Sequence, residues 1–105
     1  MTQEKYFTPE EKARERFQEK FEARLKLWLS IVEESNLNEK NKSRFKGIME
    51  TPFSAVKYGN VGMFLERISE ELYHAMVYSY QTKEALAVYK NIKADIEQFE
   101  REIYS

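Results

Sequence analysis

Residues 61–80 read VGMFLERISEELYHAMVYSY, and residues 81–104 continue QTKEALAVYKNIKADIEQFEREIY. In the first stretch Val61, Phe64, Leu65, Ile68, Leu72, Ala75, Met76 and Ser79 recur at helical spacing and form one face. Tyr73, Val77 and Tyr80 carry that face round to a second side. A helix apolar over so much of its surface is expected to be packed on two sides. In the second stretch Ala85, Tyr89, Ile92, Ile96, Phe99 and Ile103 make a heptad-like seam, with Lys93, Asp95, Glu100 and Glu102 at its edges.

The two patterns are out of phase. Continuing the first face forward predicts apolar residues at 93 and 100, where Lys93 and Glu100 stand; Ile92 and Phe99 carry the pattern instead. The apolar face therefore rotates between Tyr78 and Glu84. Either the helix breaks near Gln81-Thr82 and folds back as an antiparallel pair, or it runs unbroken over 61–104. An unbroken helix would span about 66 Å and need a partner chain to cover it. The break is favoured, because Ser79, Tyr80, Gln81 and Thr82 are all mediocre helix formers.

Upstream, Thr8-Pro9-Glu10-Glu11 is a helix start, with Thr8 as N-cap, Pro9 in the first turn and Glu11 completing a capping box. Phe17, Phe21, Leu25, Trp28 and Val32 then hold an arc of roughly 80°, and Ser35-Asn36 ends the segment. Asn38 caps a second helix over 38–50, containing Leu37, Phe45, Ile48 and Met49 among its apolar set. Thr51-Pro52 starts a short helix over 52–59, closed by Gly59. The expected fold is all-α, one domain over residues 1–105. It is a bundle of four to five helices, with long helices at about 9–35, 61–80 and 83–104.

Composition removes several functions. The 105 residues include no Cys, so thiolate catalysis, disulfides and zinc–thiolate sites are absent. His74 is the one histidine and Asp95 the one aspartate, and neither accompanies a nucleophile elbow. The net charge of −1 provides no field to attract nucleic acid or an anionic membrane. No apolar run is long enough to span a bilayer, and residues 1–7 carry no secretory h-region. These points lead to an expectation of a cytoplasmic protein without membrane contact, cofactor or enzymatic activity.

Three functional readings remain. The preferred one is a small intracellular protein that binds another protein, as an inhibitor, immunity-type factor, regulator or adaptor, and that forms a homodimer through the C-terminal seam. Arg67, His74 and Tyr78 fall together away from the core arc and make a candidate contact patch, with Leu27 a second candidate on the first helix. Lys42 and Lys46 belong to the one basic stretch, where Lys40, Lys42, Arg44, Lys46 and Lys57 outnumber Glu39 and Glu50. It suits an acidic partner, although a solvated helix face accounts for it as well.

The second reading is a DNA-binding regulator. Ala55, Gly59, Leu65 and Ile68 match loosely the small, turn-glycine and core positions of a helix-turn-helix over 52–70. Glu66, Glu70 and Glu71 on its would-be recognition helix oppose phosphate contact. The third is a dimeric metal-carboxylate protein using the Glu71-x-x-His74 pair. That pair falls outside the apolar arc, where a bundle metal site would need it inside.

Overall fold

The computed structural model describes residues 9–52 and 60–105. Four helices follow one another: α1 (Pro9–Glu33), α2 (Glu39–Met49), α3 (Val61–Val77) and α4 (Thr82–Tyr104). Among the described residues there is no strand. The expected short helix over 52–59 lies almost wholly outside the described residues, as does the Thr8 cap of α1.

The break between α3 and α4 occurs at Tyr78–Gln81. Ser79 is buried there, and its hydroxyl accepts the amide of Gln81, while Thr82 donates to the Ser79 carbonyl. These local side-chain bonds give the backbone an alternative to continuing the helix. Gln81 then fastens the turn to the opposite loop. Its side-chain oxygen accepts from the Asn38 amide and from Asn41 Nδ2, and its Nε2 donates to the Asn36 carbonyl. The end of α1, the start of α2 and the α3–α4 turn are thus held at one end of the bundle.

The other end is assembled around the N-terminus of α3, where helix geometry leaves amides unsatisfied. Asn60 caps the Met63 amide, Glu10 of α1 accepts the Val61 amide, and the Tyr104 hydroxyl of α4 accepts the Gly62 amide. Three segments therefore cap one helix. With both ends fixed this way, α1 and α3 run parallel and α4 runs antiparallel to both. α2 starts beside the α3–α4 turn and packs on α1 and α3. Its own cap is Asn38, whose side chain accepts the Asn41 amide. α1 has no basic residue in its last turn; Lys42 of α2 supplies the cation, bonding the Glu33 carbonyl.

The core draws on all four helices, chiefly α1, α3 and α4, with Phe45 and Met49 from α2. Trp28, Phe45, Phe64, Leu65, Ile68, Leu72, Ile92, Ile96, Phe99 and Ile103 are all essentially inaccessible. An aromatic cluster binds the three long helices: Phe17 stacks on Phe21 at 4.4 Å, meets Phe64 edge-on at 5.7 Å, and Trp28 meets Phe99 edge-on at 6.0 Å. Such pairs contribute about 0.5–1.5 kcal/mol each beyond simple burial.

Two details of the sequence pattern change. The buried seam of α4 passes through Val88, and Tyr89 is only partly buried at its flank. The second side of α3 is not covered: Tyr73, Val77 and Tyr80 are exposed. The seam itself is buried inside a single chain by α1 and α3, so it does not call for a second copy.

Candidate functional site

A groove of about 580 Å³ lies between α3 and α4. α3 contributes Glu66, Glu70, Tyr73 and His74; α4 contributes Tyr89, Lys93, Ile96, Glu97 and Glu100. The helices place these residues by simple periodicity. Glu66, Glu70 and Tyr73 lie one turn apart along α3, as do Tyr89, Lys93, Glu97 and Glu100 along α4.

Because the helices are antiparallel, like groups meet like. Tyr73 contacts Tyr89 edge-on at 5.6 Å and His74 at 6.0 Å, and the Lys93 ammonium sits 5.8 Å from the Tyr89 ring centre. At the other end the carboxylates gather. Burial, then the charges of Glu66 and Glu97, hold the Glu100 carboxyl above the ordinary carboxylate range. The groove is therefore graded, aromatic towards the α3–α4 turn and acidic towards the start of α3.

Of the residues singled out in the sequence, His74 lines this groove. Arg67 does not: its Nη1 pairs with Glu71 and its guanidinium lies 5.4 Å from the Phe64 ring centre, with Nε and Nη2 buried. Tyr78 is the C-cap of α3 and projects outward. Leu27 is about half exposed on α1 and lines neither this groove nor the one between the end of α1 and the start of α4. Lys42 and Lys46 both turn to Glu33, at 3.5 and 3.1 Å, and Lys46 in particular lowers the pKa of that carboxyl. Lys42 and Lys46 thus share one carboxylate, and Arg67, His74, Tyr78 and Leu27 do not gather with them into one site.

The Glu71-x-x-His74 pair does not converge on a common point, since Glu71 is held by Arg67 while His74 is exposed. Among the described residues, no group of three or more His, Asp or Glu side chains is placed to hold a metal ion. The small-residue and turn positions of the helix-turn-helix match, Ala55 and Gly59, lie outside the described residues. Glu66 and Glu70 of its second helix line the acidic part of the groove.

The polar cluster that sequence reasoning missed joins α1 to α4. Arg24 bonds Asp95 through Nε (2.6 Å) and Nη2 (3.0 Å), and Glu102 through Nη1 (2.9 Å) and Nη2 (3.1 Å). The Trp28 indole donates to Asp95 at 2.6 Å, and the guanidinium lies 5.2 Å from the Phe99 ring centre. Hydrogen bonds from Arg24 are the main cause that lowers the carboxyl pKa of both Asp95 and Glu102. Every member points at another member, so this cluster locks two helices and presents no open reactive group. The sequence places Arg24 between Phe21 and Trp28, and Asp95 between Ile92 and Phe99, each at the edge of an apolar stripe, which marks both as edge positions without pairing them.

Among the described residues no helix is long and apolar enough to cross a membrane. No family model matches the chain, and neither a curated protein nor a solved structure shows significant similarity to it.

Proposed function

We propose that the protein works without catalysis, by binding another protein on the outer side of α3 and the adjoining groove, as an inhibitor, immunity-type factor or adaptor. The observation that carries this is the exposure of four large side chains at one end of the molecule. Tyr73 is 48%, Val77 45%, Tyr78 71% and Tyr80 102% exposed. They fall on the last turns of α3 and the following turn, at positions i, i+4, i+5 and i+7. Apolar and aromatic surface gathered in this way is characteristic of protein interfaces. Tyrosine suits the role, combining contact area with a polar tip and few rotatable bonds.

The partner is a different protein. The seam that suggested a dimer is covered by the chain's own helices, and the groove is acidic at one end. The test is affinity capture from the native host with wild-type bait and with bait carrying Tyr73→Ser and Val77→Ser, followed by calorimetry on the purified captured protein. Both substitutions are at exposed positions and leave the core untouched. A partner that binds wild type and is lost from the double variant supports the reading; equal binding to both overturns it.

A further inference from the structure

We infer that the groove between α3 and α4 receives a basic, amphipathic helical segment of the partner protein, its apolar residues on Tyr73 and Tyr89 and its Lys or Arg side chains against Glu66, Glu70, Glu97 and Glu100. This rests on the protein-binding reading above and specifies the chemistry of the partner.

The groove runs along two helix axes, the geometry in which an added helix packs lengthwise. Along α4, from Tyr89 to Glu100, it extends about 16 Å at 1.5 Å per residue, which accommodates roughly three turns of a partner. Its wall is aromatic where Tyr73 meets Tyr89. Its far end carries four carboxylates, and among its lining residues Lys93 is the one lysine or arginine. Burial first, and then the nearby charges of Glu66 and Glu97, hold Glu100 above the ordinary carboxylate range, so these three carboxylates stand close enough to interact.

Charge complementarity selects the occupant. Duplex DNA and anionic lipid are repelled by those carboxylates. A small cation is not what they fit, because they do not converge as a metal-ligand set among the described residues. A second copy seated symmetrically would bring one acidic groove against another, and like charges across an interface cost several kcal/mol. A row of Lys or Arg one helical turn apart matches a row of Glu spaced by the same turn.

The test uses the whole protein, labelled for amide NMR, and as probe a designed helical peptide of Leu, Ala and Lys, about 18 residues long with a net charge of about +6. The expected result is binding that weakens steeply with salt, with shifts confined to residues 66–77 and 89–100. Glu97→Lys with Glu100→Lys should weaken it at least tenfold, and Glu15→Lys with Glu19→Lys on α1 by less than twofold. Glu97→Gln with Glu100→Gln serves as the second variant, because removing a carboxylate held in unfavourable surroundings keeps the fold intact. Equal losses from both charge-reversed pairs, no binding of the peptide, or a wild-type dimer that the Glu97 and Glu100 variants dissociate would each overturn the inference. A natural partner lost by Tyr73→Ser with Val77→Ser, yet indifferent to the Glu97 and Glu100 variants, also overturns it and leaves the protein-binding reading standing.

Discussion

Glu10 and Tyr104 stand 94 positions apart and share a 2.6 Å hydrogen bond, the phenol donating to the carboxylate. The same phenol oxygen accepts the Gly62 amide at 3.0 Å, so the beginning of α1 and the end of α4 together finish the N-terminus of α3. Tyr104→Phe removes both bonds and should lower stability by about 1 kcal/mol, a fall of about 4–8 °C in thermal midpoint for a domain of this size. Burial, and then Glu10, push the phenol up to about 12. A raised pKa means that this contribution is complete below the ordinary tyrosine value of about 10 and is lost as pH rises from there towards 12. Melting curves of wild type and Tyr104→Phe should converge over that alkaline range; a constant gap would show that the phenol proton is irrelevant.

The Arg24–Asp95 pair is the principal polar link between α1 and α4. Asp95→Ala leaves the Trp28 indole without its acceptor and should cost about 2–3 kcal/mol in urea unfolding. Asp95→Asn keeps an acceptor for the indole and should cost less. Both Asp95 and Glu102 have lowered pKa values, so the stability they contribute is present above about pH 4 and lost as pH falls below it. The acid limb of the stability profile should flatten in Asp95→Ala.

Gln81 ties two loops through three hydrogen bonds. Gln81→Ala should cost about 1–2 kcal/mol and raise amide exchange at Asn38 selectively, since the Asn38 amide donates to its side chain. Exchange that rises equally across the molecule would refute a local clamp.

Ile96 is 2% exposed in the middle of the α4 seam. Ile96→Asp places a carboxylate there and should unfold the protein. The wild type should scatter light as a single chain near 12.6 kDa, because the seam is already covered; a stable dimer would require another surface.

The helices were legible because apolar spacing reports a period directly. The stripe at Phe17, Phe21, Leu25, Trp28 and Val32 is the core-facing side of α1, and the phase slip between Ser79 and Ile92 marks the turn. Partnership across the bundle was not legible. Nothing local distinguishes Asp95 on a surface from Asp95 under an indole and a guanidinium. Nor does period separate Tyr73, which Tyr89 of α4 touches on one edge and which stays about half exposed, from Leu72 beside it, which is buried. Val88 and Tyr89 exchange roles because a seam at alternating three and four spacing admits either residue, and only the position of α3 decides between them.

The shared capping of α3 also sets an order in time. α3 and α4 are joined by four residues, so they can close on each other early. The bonds from α1 to α4 span 67 to 94 positions, and closure entropy grows with loop length. Closure entropy therefore predicts that the hairpin of α3 and α4 forms before α1 docks and that the Glu10 bond to the Val61 amide comes late. Interactions made after the rate-limiting step chiefly govern how fast the native state is left. Weakening Glu10, Arg24 or Tyr104 should quicken unfolding while leaving the rate of folding nearly as it was.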